Sequence, residues 1–398
     1  AFDGNGTLNR LVYPGGRAIS YTGDLLDRPE QLRDEPFGPN SGVATYAYLG
    51  PDRIERCDLG NGTRQEVRFD SDGRIVGTRH SNPRSGQILD ERSYAYDSAH
   101  HLTQVQVSAG LPGESRFFGY DARGQLIESR TTSDGVLITY SLDAAGNRLA
   151  VEGGPEAGIY ELDPTTPEPA DAQMNQYTSV AGTPRSYDRI GNLIGQGDAK
   201  RYTYDYRHRL VEYMDLSAGV AVMFKYDVLD RRIEKNAGGF IIRYYYAGQS
   251  LIEEQSQSNI TLATYAYRTL DGSEPPVQMQ RGGQKYFFHV DALGSIVRVT
   301  DAAGNVVEQY RYGDYGRPAF FSSTGTPAGS SPSANPFLFR GYRYEPELGM
   351  YTVGPRLYDP LTGRFLNRAE GRVWRDDLSD WGNPYVFNGN NPLITSPR

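Results

Sequence analysis

The chain has 398 residues, with 41 Lys and Arg against 49 Asp and Glu and a net charge of -8, which excludes an overall basic surface for nucleic acid. Aromatic residues reach 12%, 30 of them Tyr, too many for a disordered chain. A single cysteine, Cys57, excludes an internal disulfide framework and any zinc site of several thiolates.

The N-terminus, Ala1-Phe2-Asp3-Gly4-Asn5-Gly6, has neither an initiator Met, a basic segment nor an apolar run. It reads as a cut edge inside a longer protein, so an open strand edge is expected there and any targeting signal lies outside the sequence. Apolar stretches such as Val220–Phe224 fall far short of the roughly 20 residues that span a bilayer.

A phrase then recurs: aromatic, any residue, aromatic, Asp, two residues, Gly or a substitute, and a polar-Leu/Ile close. Copies are Tyr94-Ala95-Tyr96-Asp97, Phe118-Gly119-Tyr120-Asp121, Tyr140-Ser141-Leu142-Asp143, Tyr202-Thr203-Tyr204-Asp205 and Phe224-Lys225-Tyr226-Asp227, with shorter ones at Phe69-Asp70, Tyr187-Asp188 and Val290-Asp291. Asp70, Asp97, Asp121 and Asp143 stand 27, 24 and 22 residues apart. The alternation predicts a strand with one buried face, and Asp followed by Gly124, Gly146 or Gly191 predicts the turn to the next strand. One hairpin cannot bury its aromatic face alone, so successive hairpins must wrap into a continuous sheet. The tyrosines are read as packing residues, with a sugar-binding ladder as the alternative. Residues 151–186 interrupt the pattern with Gly153-Gly154-Pro155 and Pro164-Thr165-Thr166-Pro167 and read as an irregular insertion, and a Gly/Ser/Pro-rich stretch from Ser322 to Ser333 precedes the last segment.

The chemistry-bearing residues are sparse. His100 and His101 are adjacent, and neighbouring strand residues point to opposite faces, so no metal site is expected there. Asp301-Ala302-Ala303-Gly304-Asn305 reads as an ordinary turn rather than a calcium loop. Arg231-Arg232 and Arg207-His208-Arg209 sit in turns and are expected to be solvated. No serine elbow or phosphate loop occurs, and no cofactor is expected.

The sequence resembles the YD-repeat or Rhs proteins. The repeat phrase covers most of residues 43–315. Asn335-Pro336-Phe337-Leu338-Phe339, Gly341-Tyr342-Arg343-Tyr344, Glu347-Leu348-Gly349-Met350-Tyr351, Arg356-Leu357-Tyr358-Asp359-Pro360 and Gly363-Arg364-Phe365-Leu366 follow the order of the Rhs-associated core domain. The resemblance implies an all-β fold: antiparallel hairpins spiralling as a shell around a hollow interior, with a C-terminal core plug. It implies a division into 1–309 shell segment, 310–392 core and 393–398 tail before a cargo. In bacterial polymorphic toxins and toxin-complex C components such a shell encloses a variable C-terminal toxin, whereas in animal teneurins a related shell serves adhesion.

The expected function is therefore a non-catalytic scaffold enclosing and delivering a C-terminal toxin or effector. Its partners are that domain or the rest of the parent shell, it is secreted or at the cell surface, and it has no nucleic acid partner and no membrane-spanning segment. The alternatives are a surface adhesin binding glycans and a self-cleaving aspartic-type core. Family cores carry an Asp where this chain has Ala369 and a second where it has Ser396, leaving Asp376, Asp377 and Asp380 as autoprotease candidates.

Overall fold

A computed structural model describes residues 8–162, 175–369 and 382–394. In them the repeat phrase becomes one antiparallel ladder of 30 strands from Arg10–Val12 to Pro327–Ala328, each bonded to its sequence neighbour. The stretch expected to be irregular carries part of this ladder, in strands Gly158–Glu161, Ser179–Val180 and Thr183–Tyr187.

The Asp of the phrase builds the turn. In ten turns, from Asp24 to Asp301, one carboxylate oxygen accepts the backbone N–H groups two and four residues on; at Asp121 these are Arg123 and Gln125, both at 2.9 Å. The residue three after Asp takes a left-handed φ each time, which explains Gly at 124, 146 and 191 and identifies its substitutes, Asp27, His100, His208 and Asp230. Turns of this form leave a bulge in the returning ladder. The register shifts accordingly just before Tyr96, Tyr120, Tyr204 and Tyr226. Repeated bulges raise the twist, so the ladder coils instead of lying flat.

The Tyr of the phrase locks one repeat to the previous one. Its hydroxyl donates to the carbonyl five residues after the preceding turn Asp: Tyr96 to Ile75 (2.9 Å), Tyr120 to Leu102 (2.7 Å), Tyr226 to Leu210 (2.8 Å), Tyr246 to Arg232 (2.8 Å) and Tyr312 to Ile296 (2.6 Å). A ring that packs while its tip satisfies a backbone acceptor suits Tyr and not Phe, and each bond is worth about 1 kcal/mol net. Turn arginines reach across as well, Arg207 to Val228 O and Arg231 to Gly248 O.

The coil returns on itself. The hydroxyls of Tyr13 and Tyr21 donate to the carbonyls of Tyr265 and Tyr267, and Ile19, Leu32 and Val43 pack with Ile252 and Phe287. Strand Arg10–Val12 pairs with Ala18–Gly23 on one side only among the described strands. A separate four-stranded sheet spans Arg343–Glu345, Met350–Val353, Arg356–Asp359 and Arg364–Phe365. It packs on the ladder, where Phe337, Phe339, Tyr351, Tyr358, Phe365 and Phe387 form one buried cluster with Tyr244, Tyr265 and Tyr310 of the wall.

Candidate functional site at the C-terminal core

The core recognises the wall through its turns. Four turns offer the carbonyl of their left-handed residue to the core, and each receives at least one core side chain. Asn391 Nδ2 donates to Gly124 O (3.1 Å), Asn390 Nδ2 to Gly146 O (2.7 Å), the Tyr385 hydroxyl to Gly191 O (2.8 Å) and Asn367 Nδ2 to His208 O (2.8 Å). Asn383 and Arg364 converge on Asn147 Oδ1 at 2.9 and 2.6 Å. The Asn-rich end of the core therefore reads a row of turns built by the repeat. A Cβ at Gly191 would stand 2.5 Å from the Tyr385 hydroxyl and 2.4 Å from Arg368, so that turn needs Gly for space as well as for its φ of +90°.

Buried charge fixes the other end. The Glu345 carboxylate receives Arg232, Lys235 (2.8 Å) and Arg343 (3.2 Å), while Glu254 receives Arg343 (2.6 Å), Arg281 (2.8 Å) and the Tyr265 hydroxyl (2.9 Å). Burial would raise the Glu345 carboxyl, but Lys235, Arg232 and Arg343 overcome it and hold it far below the ordinary 4.5. Arg232 is thus buried and corrects the expectation of a solvated turn arginine: it lies over the Phe224 ring at 4.0 Å and ties wall to core. The Arg148 guanidinium stacks on Tyr315 at 3.9 Å and bonds Leu361 O.

The core shows no carboxylate pair poised for acid–base work among the described residues. Position 369 offers a methyl group, and its backbone N–H donates to Pro384 O at 3.1 Å. Asp359 is spent on its own turn, accepting from Leu361 N and Thr362 Oγ1, and Glu345 is locked in its anionic form, whereas a general acid needs a raised carboxyl. Asp376, Asp377, Asp380 and Ser396 lie outside the described residues. His101 bonds Asp97 within its turn, His100 has a φ of 68°, and no three metal-ligating side chains converge among the described residues. Burial pushes the Cys57 thiol up to about 12, so it is not a nucleophile at neutral pH. Cys57 lines a cavity of about 670 Å³ between strands near Val67 and Val290, which Ile394 also borders.

Sequence reading quoted the core motifs but missed the roles of Asn367, Asn383, Asn390 and Asn391. The usable signal was the excess of Asn beside Pro and Gly, which marks turns whose side-chain amides bond backbone.

Comparisons agree with this geometry. The teneurin YD-shell family model matches residues 84–393. The tRNA nuclease WapA of Bacillus subtilis strain 168 is 28% identical over 378 residues, covering 94% of this chain and 15% of WapA. The toxin protein Tse5 of Pseudomonas aeruginosa is 25% identical over 479 residues, 98% of this chain and 34% of Tse5. A solved structure of the Photorhabdus luminescens Tc holotoxin pore superposes on the whole chain with a TM-score of 0.76 at 15% identity, using 21% of that chain. The chain thus spans a minor part of the proteins it matches. Turn aspartates, latching tyrosines and a core seated on the turns are the parts of a coiled shell wall, and this chain belongs to the teneurin YD-shell family.

Proposed function

We propose that this chain is the wall and closing core of a shell that encloses a C-terminal toxin or effector and delivers it, a scaffold without catalysis of its own. The observation that carries this reading is the core seated on the wall, with core side chains bonded to the carbonyls of four successive Asp turns. That arrangement closes a wall. Ile394 borders the cavity that Cys57 lines, which suits a following segment held there. The names of WapA and Tse5 supply the class of cargo, a nuclease or another toxin. A division into shell segment, core and tail, and secretion or display at the cell surface, belong to the same reading, with the ladder carrying the wall past residue 309 to Pro327–Ala328. The glycan-binding alternative loses support from the ladder, because Tyr94, Tyr140 and Tyr202 are buried and the half-buried Tyr96, Tyr120 and Tyr226 spend their hydroxyls on backbone carbonyls. The self-cleaving alternative rests on Asp376, Asp377 and Asp380, because Ala369 stands where family cores carry a carboxylate.

The test uses the full-length protein that contains this chain. Sequence after Arg398 is expected to resist added protease while the shell is folded, and to be cut at least tenfold faster when Glu345→Ala loosens the core. Equal cutting in both overturns the enclosure. Intact mass separates the remaining alternative: two fragments meeting near Arg398 would restore self-cleavage.

A further inference from the structure

Two histidines 209 residues apart in sequence meet inside the molecule. His80 stands on strand Ile75–Asn82 and His289 on strand Gln284–Val290, which are not neighbours in the ladder. Both are fully buried, with Nδ1 facing Nδ1 at 3.1 Å and rings perpendicular. Their protons are dictated by their partners. His80 Nε2 faces Val290 O at 2.9 Å, and a carbonyl only accepts, so the His80 proton is on Nε2 and its Nδ1 is a bare acceptor. His289 must then donate from Nδ1 and accept at Nε2 from Thr300 Oγ1 (3.0 Å), which in turn accepts from Asn61 Nδ2 (2.8 Å). One directional chain thus joins two turns of the coil, and it exists only while both rings are neutral.

The surroundings have no charge to spare. Asp90 and Arg92 from strand Gln87–Tyr96, Glu114 from the loop after Ala109 and Arg298 from strand Ile296–Thr300 form a closed set of two anions and two cations. In it Arg92 reaches Asp90 (2.7 Å) and Glu114 (2.6 Å), while Arg298 reaches Asp90 (3.0 Å) and Glu114 (3.2 Å). Asp291 is engaged with the amides of Leu293 and Ser295 in its own turn. One extra proton forces the whole chain to reverse and adds an unbalanced charge beside Arg92 and Arg298. A second sets N–H against N–H.

We propose that this seam is an acid-sensitive joint: protonation of the His80–His289 pair parts strand Ile75–Asn82 from strand Gln284–Val290 and opens the shell along that line. The inference rests on the chain being a shell wall, and it holds whatever the shell contains. Burial lowers His80 from 6.5 to about 4 and His289 well below 6.5, so the open state binds protons that the closed state refuses. The closed seam keeps its full stability above about 6.5 and loses it as the pH falls toward 4. At pH 5, His80 alone shifts the opening equilibrium roughly 20-fold relative to pH 7.

Hydrogen exchange read by mass spectrometry at pH 7.5 and 5.0, corrected for intrinsic rates, tests this. Peptides covering 75–82 and 284–300 are expected to lose at least 20-fold protection at pH 5.0 while peptides covering 202–246 keep theirs. His80→Gln with His289→Gln removes the difference. A uniform loss along the chain, no loss, or the same loss in the double variant overturns the joint. Should the variant not fold, histidine-labelled NMR of the native chain decides: two imidazoles must stay neutral, with the proton on Nε2 in one and Nδ1 in the other, until the seam opens. A pair titrating near 6.5 with protection intact overturns it. Any of these failures leaves the protease protection of a downstream segment untouched, so the two readings fail separately.

Discussion

The repeats of the wall bond over 14 to 21 residues, each tyrosine hydroxyl reaching the strand one repeat back, whereas core side chains reach turns 159 to 267 residues upstream. The wall spreads its stability over many equal and modest contacts. The core concentrates its own in a few buried polar groups, Glu345 and Asn390 among them, that have no water to fall back on. One region should lose stability in small steps and the other in one large step.

Glu345→Ala tests the large step. It strands Arg232, Lys235 and Arg343 without their shared anion and is expected to cost about 3–5 kcal/mol in urea unfolding. A cost under 1 kcal/mol would make the core as diffuse as the wall. Gly191→Ala comes next. Strain at a φ of +90° costs about 1–2 kcal/mol, and the collision with Tyr385 adds to it, so it should exceed Gly239→Ala, which has a similar φ and open space. Tyr226→Phe and Tyr120→Phe each remove one latch and should cost about 1 kcal/mol apiece, adding within error because the repeats are separate. Acid sharpens the contrast. The contribution of the depressed Glu345 carboxyl is complete above 4.5 and lost only as the pH falls below it, so the core should outlast the histidine seam, which weakens from 6.5 downward. At the small end, Tyr206→Ser on an exposed turn tip should change the urea midpoint by less than about 0.5 kcal/mol equivalent.

Much of the wall was legible because its rules are local. Asp97 and Asp205 announce turns, aromatic alternation announces a half-buried strand, and left-handed Gly191 follows from its place after Asp188. The same rules misjudged Arg232, because adjacency to Arg231 in a turn says nothing about Glu345, 113 residues away. They also drew an irregular insertion where strand Gly158–Glu161 stays in the ladder, since Gly and Pro mark breaks only until partners on either side hold the segment. At the core, Ala369 could be read as a missing carboxylate, yet the use of Asn367, Asn390 and Asn391 could not.

The sequence by itself determined the repeat, the hairpin and the family, because these follow from residues within about 25 positions of one another. Only the tertiary structure decided which turn meets which core amide, which arginine is buried and which two histidines touch. These depend on how many bulges accumulate between distant segments, and small rotations at each bulge sum over the ladder into the final placement.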